Sequence, residues 1–226
     1  MPAEPWMAQP AAQWPQFVLT NEAKFKGSTA LEGASAFLVQ ARSGKVFAAT
    51  ARHLLGENGG VEPAVPRSKL DGLLEKWTLF PRTARTQIVE VAPFPMSLPE
   101  KSQDDWLLLS VKNTAAELPA TPLKLRRKPV AIGERVHLIG VAYAEPTVRQ
   151  KVYTGKVTQR GYGTSFRYDI DPPVNIQGFS GAPIVDDAGY VVGVMTVWFK
   201  AKMQGEKYLE AGGEDTAVIF NELGAK

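Results

Sequence analysis

The sequence contains no cysteine and only two histidines, His53 and His137, among its 226 residues. Without cysteine there is no disulfide framework, no thiolate nucleophile and no Cys-ligated zinc. Two histidines are too few for a His-rich metal site, so we expect no metal and no cofactor. The missing disulfides leave the cellular compartment open, because a large hydrophobic core does not need disulfides in any location.

Long apolar runs are also missing. No uninterrupted stretch approaches the roughly 20 apolar residues that a membrane-spanning helix requires, and we expect no membrane span. Residues 1–15 lack the charged and then apolar pattern of a secretory signal peptide, and the localisation stays unpredicted. The net charge is only +3, and the basic cluster Arg126-Arg127-Lys128 is more typical of a solvated linker than of a nucleic-acid surface. We therefore expect no nucleic-acid partner.

What the sequence has in quantity is turn formers and short β-like runs. Its 20 glycines and 17 prolines accompany a hydrophobic fraction of 44%, typical of a globular fold with many turns. Runs rich in Val, Ile, Phe and Thr, bounded by turn residues, predict strands at 16–20, 35–40, 45–49, 77–80, 87–91, 106–111, 135–141, 148–158, 165–170, 182–185 and 190–199. Leucines at helical spacing predict a short helix at 68–76, and residues 216–223 form either a strand or a helix.

The order of these elements predicts an all-β protein. Many short strands without alternating helices favour two antiparallel β units of about a hundred residues each. We place a Pro/Ala-rich arm at residues 1–15, with Trp6 and Trp14 as its candidate docking points. A first β unit follows at 16–112, then a linker at 113–128, and a second β unit with the tail at 129–226.

One glycine-rich turn carries the first chemical signal. Ser180 lies between Gly178 and Gly181, and the apolar run that begins at Ile184 follows directly. Glycines tolerate backbone angles that other residues resist, so such a turn can expose a hydroxyl and aim two backbone N–H groups at one point. An oxyanion would form at that point if Ser180 attacked a carbonyl. For this stretch alone, an ordinary turn between two strands is an equally good interpretation.

Two further stretches supply the partners of a nucleophilic serine. His53 follows an apolar strand and, taken alone, is better explained as a structural histidine. Asp105 precedes an apolar strand and, taken alone, is a polar strand start; Asp104 is an alternative carboxylate with a poorer register. Together, Ser, His and Asp form the role set of acyl transfer, a nucleophile, a base and a carboxylate that orients the base. In the chain order His53, Asp105, Ser180 they would meet where the two β units join.

The same stretches resemble the motifs of the chymotrypsin-fold, trypsin-like serine proteases. The matching segments are Thr50-Ala51-Arg52-His53, Asp105-Trp106-Leu107-Leu108-Leu109 and Gly178-Phe179-Ser180-Gly181-Ala182-Pro183. The resemblance implies two antiparallel six-stranded Greek-key barrels packed against each other, with the active site at their junction and a peptide or protein as substrate. It also implies roles: Ser180 is the nucleophile, His53 the general base and then acid, and Asp105 the orienting carboxylate. The N–H groups of Gly178 and Ser180 would form the oxyanion hole.

The chain departs from the digestive trypsins of this family at Phe179. That position holds an aspartate in the trypsins, where it pairs with a newly cut N-terminus, so this form of activation is not expected here. The departure and the missing cysteines make the chain more similar to HtrA-like bacterial members. By the same resemblance the base of the primary specificity pocket is Val174, and its wall is formed by Thr196, Val197 and Trp198. An uncharged base predicts cleavage after a small or apolar residue.

Two other classes of function compete with proteolysis. In α/β-hydrolases the catalytic histidine follows the serine, and no histidine follows Ser180, so that class is excluded. A catalytically silent, protease-like module that binds peptides or acts as a scaffold stays open as the alternative. His137 alternates with apolar residues on a predicted strand, which indicates a structural role. The sequence makes no prediction of the physiological substrate, the oligomeric state or the activation mechanism.

Overall fold

The computed structural model describes residues 2–95, 105–161, 163–198, 203–205 and 207–224. Strands make up most of the regular structure over these ranges, and two α-helices accompany them. The first seven strands are β1 (Val18–Phe25), β2 (Leu31–Gln40), β3 (Val46–Thr50), β4 (Leu74–Phe80), β5 (Val89–Pro93), β6 (Leu107–Val111) and β7 (Leu123–Lys124). The second seven are β8 (Arg135–Gly140), β9 (Lys151–Arg160), β10 (Ser165–Val174), β11 (Pro183–Asp186), β12 (Val191–Trp198), β13 (Met203–Gln204) and β14 (Lys207–Asp215). The helices are α1 (Leu70–Leu73) and α2 (Ala217–Gly224).

Each group of strands closes on itself. In the first, the order β1-β4-β5-β6-β3-β2 is closed by pairing of β1 with β2, and β7 runs parallel to β2 outside the ring. In the second, the order β10-β9-β8-β11-β12-β14 is closed by pairing of β10 with β14, and β13 pairs with β14. The protein thus consists of two six-stranded antiparallel barrels, which confirms the predicted fold class. Closure leaves the ring strands without free edges.

Three apolar clusters hold this arrangement together. The first barrel is filled around Trp77, Leu79 and Leu109, and the second around Phe166 and Phe179. The third cluster joins the barrels, and it includes Phe37, Val39, Trp106, Leu108, Ile139, Val185, Val194 and Ile219. Removing this shared apolar area from water stabilises the contact by roughly 25 cal/mol per Å². A packed apolar interface fixes the barrels relative to each other and so defines the geometry of their junction.

The N-terminal arm lies against both barrels. It forms two short 3₁₀ turns, Pro5–Ala8 and Ala11–Gln13, and the rings of Trp6 and Trp14 meet edge to face with centroids 4.8 Å apart. Both tryptophans are buried in the cluster between the barrels. At the end of the arm, the side-chain amide of Gln150 accepts from the backbone N–H of Phe17 at 2.9 Å and donates to the carbonyl of Pro15 at 2.6 Å. The arm is therefore part of the packed structure.

The structure corrects or completes the sequence-based elements in several places, of which three concern whole elements of the second half or the predicted helix. The predicted helix at 68–76 is shorter in the structure, where a 3₁₀ turn, Arg67–Lys69, is followed by the four residues of α1. The helix cannot extend to residue 76 because β4 begins at Leu74. Residues 216–223, left open between strand and helix, form α2. Strand β14, which closes the second barrel, was not predicted at all. Within the described ranges, no helix has the length and apolar character needed to cross a membrane.

Candidate active site at the barrel junction

His53 and Asp105 are brought together by the pairing of two strands. Strand β3 ends at Thr50 and pairs antiparallel with β6, so that Thr50 lies opposite Leu107. His53 follows three residues after Thr50, in the 3₁₀ turn Arg52–Leu55, and Asp105 stands two residues before Leu107. In an antiparallel pair, the end of one strand lies beside the start of the other. His53 and Asp105 therefore lie at the same end of the first barrel.

The carboxylate of Asp105 contacts His53 through both of its oxygens. Oδ1 accepts the backbone N–H of His53 at 2.8 Å, and Oδ2 lies 2.7 Å from the ring Nδ1. The two side chains are 15% and 20% exposed, so the pair is shielded but reachable from solvent. A carboxylate accepts only, which favours the tautomer with the proton on Nδ1. In that tautomer the lone pair on Nε2 is free to accept a proton.

Ser180 lies on the loop between β10 and β11, and consecutive tight turns give the loop its shape. The N–H of Phe179 donates to the carbonyl of Ile176 at 3.0 Å, and the N–H of Ala182 donates to that of Phe179 at 2.8 Å. Gly178 has a φ of +98° and Gly181 a φ of +87°, values that favour glycine. The Phe179 ring is fully buried beside Tyr153, with centroids 5.7 Å apart. The Phe179 side chain thus anchors the loop in the core of the second barrel, and Ser180 beside it is half-buried.

This loop packs directly against the first barrel. The N–H of Ser35 on β2 donates to the carbonyl of Ser180 at 2.8 Å. A Cβ added to Gly181 would lie 2.1 Å from the Ser35 carbonyl oxygen and 2.5 Å from Oγ1 of Thr50, so only glycine fits. Thr50 is the last residue of β3, the strand that leads into His53. The backbone around Ser180 thus packs against β2 and against the end of β3, the strand that precedes His53.

Two residues that the sequence reasoning did not single out contact the same loop. The Ser35 hydroxyl donates to the carbonyl of Gly178 at 2.7 Å, and the Tyr143 N–H donates to the carbonyl of Gln177 at 3.0 Å. The phenol oxygen of Tyr143 accepts the N–H of Ala34 at 2.5 Å. Partial burial raises the pKa of Tyr143 against the opposing effects of the Ala34 N–H and the Arg82 charge, so the hydroxyl is neutral near pH 7. The sequence contains no specific signal for either residue, because Ser35 begins an ordinary apolar run and Tyr143 lies in no motif.

The residues expected to form one specificity pocket do not all line the same cavity in the structure. Val174 is buried at the end of β10 and lines a cavity of about 550 Å³ together with Tyr153 and Asn175. The described residues that line this cavity do not include Thr196 or Val197. Thr196 is 5% exposed and Val197 is 42% exposed. The backbone of Trp198 ends β12, but its side chain, like the whole of Asp104, is outside the described part of the structure.

The second histidine, His137, lies on a strand of the second barrel and forms hydrogen bonds with residues outside the candidate site. His137 on β8 contacts Oγ1 of Thr154 at 3.0 Å through Nδ1 and Oδ1 of Asp187 at 2.9 Å through Nε2. Its ring also meets that of Trp14 edge to face. Over the described ranges, His, Asp and Glu side chains nowhere form a group of three that could hold a metal ion.

Comparison with known structures gives the same fold. The Rv3671c protease from M. tuberculosis in its active form matches with a TM-score of 0.60 and 17% identity, over 99% of this chain and 87% of that one. Its inactive form matches with a TM-score of 0.56 and 16% identity, over 100% of this chain and 97% of that one. The serine endoprotease from Yersinia pestis matches with a TM-score of 0.57 and 19% identity, over 96% of this chain and 66% of that one. At these identities the similarity concerns the fold alone.

Sequence comparison identifies the family. No curated protein sequence matches the chain at a significant level. The family model described as the trypsin-like peptidase domain matches residues 34–194, which is more than half of the chain and includes His53, Asp105 and Ser180. Because the match extends over both barrels and the junction between them, the chain belongs to the trypsin-like peptidase domain family.

Proposed function

We propose that the protein is a serine endopeptidase that hydrolyses peptide bonds through an acyl-enzyme. Ser180 is the nucleophile, His53 the general base and then acid, and Asp105 the carboxylate that orients His53. The N–H groups of Gly178 and Ser180 form the oxyanion hole. Membership of the trypsin-like peptidase domain family supports the reaction class, and the chemistry of the named residues supports their roles.

One observation carries this proposal: Asp105 binds His53 at two points, the backbone N–H and the ring Nδ1. A single hydrogen bond would fix the tautomer but leave the ring free to swing. The second bond ties the carboxylate to the backbone that carries the ring. A purely structural histidine gains little from this arrangement, whereas a general base requires a defined tautomer and direction.

The reaction proceeds in two halves. The Ser180 Oγ attacks the carbonyl carbon of the substrate while its proton passes to Nε2 of His53. The carbonyl oxygen becomes an oxyanion and accepts hydrogen bonds from the N–H groups of Gly178 and Ser180. When the C–N bond breaks, the imidazolium of His53 gives its proton to the leaving amine, and the acyl group stays on Ser180. Water then attacks the ester with His53 again as the base, releasing the acid and restoring the serine.

The specificity we propose is for a small or apolar residue on the acyl side of the cleaved bond. Val174, Thr196, Val197 and Trp198 are the proposed pocket residues, and none of them carries a charge. An uncharged pocket leaves an arginine or lysine side chain without a partner for its charge, which is costly once water is excluded. Cleavage of a peptide library with a strong preference for arginine or lysine would contradict this part of the proposal.

The proposed activity is tested by peptide cleavage with a matched pair of histidine variants. We expect His53→Ala and Ser180→Ala each to lower kcat by at least about a thousandfold, because each removes a member of the catalytic unit. His137→Ala removes the other imidazole, and we expect it to retain kcat within a fewfold. Cleavage at the background rate only, by the wild type as well as by the Ser180→Ala variant, would favour the silent, peptide-binding alternative.

A further inference from the structure

The proposed oxyanion hole depends on the orientation of one peptide group, the one that joins Gln177 to Gly178. This group carries the Gly178 N–H, and in a trans peptide the N–H and C=O point in opposite directions. The carbonyl of Gln177 accepts the N–H of Tyr143 at 3.0 Å. Because the carbonyl is held toward Tyr143, the Gly178 N–H is held toward the opposite side.

The next peptide group is held from the first barrel. The Ser35 hydroxyl donates to the carbonyl of Gly178 at 2.7 Å, and the Ser35 N–H donates to the carbonyl of Ser180 at 2.8 Å. Ser35 is only 2% exposed, so its hydroxyl is sequestered from competing water. The carbonyl of Gly178 would lose this partner if the hydroxyl were removed.

Tyr143 itself is fixed across the junction. Its phenol oxygen accepts the N–H of Ala34, which lies 109 residues away on β2. Ala34 has a φ of +57°, the one positive φ at a non-glycine among the residues that the structure describes. The Tyr143 ring lies against Gly178 so closely that an added Cβ would come within 2.9 Å of it. Tyr143 therefore contacts the peptide through its backbone and its ring and is itself held through its hydroxyl.

These contacts matter because glycine alone does not hold a peptide orientation. Gly178 populates positive and negative φ about equally well, so the peptide before it can rotate at little intrinsic cost. A rotated peptide would present a carbonyl oxygen to the oxyanion and repel it. Hydrogen bonds of about 1 kcal/mol each are enough to shift such a balanced equilibrium by roughly fivefold apiece.

We propose that Tyr143 and Ser35 are positioning residues that hold the peptide groups before and after Gly178, respectively, and so keep the Gly178 N–H directed at the substrate carbonyl. The inference rests on the proposed function and extends it. Neither residue contacts a reacting atom, and both act through the backbone of the loop. The oxyanion hole is thereby assembled across the junction, with its donors on the second barrel and much of its support on the first.

The contacts that Ser35 and Tyr143 make with the serine loop and with Ala34 are called the clasp below. Two conservative substitutions each weaken the clasp by one hydrogen bond, and two others serve as matched controls. Tyr143→Phe removes the hydroxyl that binds Ala34, and Ser35→Ala removes the hydroxyl that binds Gly178. Tyr190→Phe also removes a tyrosine hydroxyl with a backbone partner, since the Tyr190 hydroxyl donates to the carbonyl of Pro2 at 3.0 Å. Ser28→Ala removes a serine hydroxyl bonded to the carbonyl of Pro63 at 2.8 Å. Tyr143 is 45% exposed, so Tyr143→Phe retains the fold even if Ser35→Ala does not.

The kinetic readout separates positioning from folding and from substrate binding. Loss of one oxyanion donor costs on the order of a hundredfold or more, and partial misorientation should cost less. We expect kcat to fall about three- to thirtyfold in Tyr143→Phe and in Ser35→Ala with KM nearly unchanged. The controls should keep wild-type kcat. An equal change in KM, or an equal loss in the controls, would overturn the assignment.

A spectroscopic readout tests the clasp whether or not the protein cleaves peptides. In ¹⁵N-glycine-labelled Ser180→Ala protein, the Gly178 amide should give one sharp resonance. Adding Tyr143→Phe or Ser35→Ala should split, shift or broaden this resonance, and adding either control substitution should leave it in place. If Gly178 is unaffected by both clasp variants, the positioning role is wrong even for an active peptidase. If the resonance responds but the wild type cleaves no peptide, the clasp stands and the proposed function fails.

Discussion

Asp105 holds His53 by its main chain as well as by its ring. The two carboxylate oxygens bind the His53 N–H at 2.8 Å and Nδ1 at 2.7 Å. They can do so because β3 ends shortly before His53 and its antiparallel partner β6 begins shortly after Asp105. Both residues of this pair belong to the first barrel. In the proposed mechanism, the first barrel thus supplies the general base, and the second barrel supplies the serine loop that packs against the first.

Asp105→Asn should abolish most of the activity while leaving the fold intact. The asparagine oxygen can still accept the His53 N–H, but its NH₂ group then faces Nδ1 and favours the tautomer that leaves no lone pair on Nε2. In a serine protease of this fold the same change at the orienting aspartate costs about 10⁴-fold in kcat, and we expect a loss of that order here. The measurement is kcat for peptide cleavage. Asp104→Asn, at the neighbouring carboxylate, should stay within a fewfold of wild type, and the reverse pattern would assign the orienting role to Asp104.

Gly181→Ala should destabilise the protein far more than an equivalent change at an open glycine. At Gly181 the added Cβ would meet the Ser35 carbonyl at 2.1 Å, whereas Gly44, with a similar φ of +85°, has nothing within 4 Å of an added Cβ. The left-handed backbone costs about 1–2 kcal/mol at both sites, and the clash adds about 1–3 kcal/mol at Gly181 alone. Urea unfolding measures both. Equal losses would show that the serine loop does not press against the first barrel.

Thr196→Val should stabilise the protein. Oγ1 of Thr196 is buried and has no hydrogen-bond partner among the described residues, which is a cost of about 1–3 kcal/mol. Valine keeps the shape and removes the hydroxyl, so we expect a gain of about 1 kcal/mol in the free energy of unfolding. Thr216→Val is the control, since the Thr216 hydroxyl donates to the carbonyl of Val191 at 2.9 Å. We expect this variant to lower the free energy of unfolding by about 1 kcal/mol. A loss of similar size at both threonines would mean that Thr196 has a partner.

Asp187→Asn should lower the free energy of unfolding near neutral pH but not in acid. Burial alone would raise the pKa of Asp187, but the hydrogen bonds and charges of Arg135 and His137 outweigh it and lower the pKa below its usual 3.8. A lowered pKa stabilises the fold above the unfolded value, and the contribution is lost as the pH falls through the folded value. Because Asp187 is 49% exposed, screening limits the effect to roughly 0.2–1 kcal/mol. Urea unfolding at pH 7 and pH 3 measures it; a difference that grows toward pH 3 would contradict the prediction.

Strands with strong local signals were predictable from the sequence, and strands without them were not. Runs such as β2, β6 and β12 are rich in branched and apolar residues, and their positions agree with the prediction within a few residues. Strand β14 contains Gly212 and Gly213, which usually indicate a loop. Gly213 is required because an added Cβ would lie 2.6 Å from Ile184 Cδ1 and 2.8 Å from the Val194 carbonyl. Close packing from distant parts of the chain overrides the local propensity there.

The candidate site shows the same division. The sequence allowed His53, Asp105 and Ser180 to be proposed as site residues because each lies in a short motif with its own local pattern. Ser35 and Tyr143 were not, because their contacts with Gly178 and Ala34 join residues 143 and 109 positions apart. In the sequence, Ser35 begins an apolar run and looks like any sheet residue. Only the closed barrels and their junction bring its hydroxyl to the serine loop.

The most direct test of the proposed activity is covalent labelling with a fluorophosphonate, which reacts with a serine only when a base and an oxyanion hole activate it. We expect one label per chain in the wild type, mapped by peptide mass to Ser180. We expect no label in Ser180→Ala and labelling slowed by at least about a hundredfold in His53→Ala. A folded wild-type protein that takes up no label, or that is labelled equally in the absence of Ser180, would contradict the claim that this serine is a catalytic nucleophile.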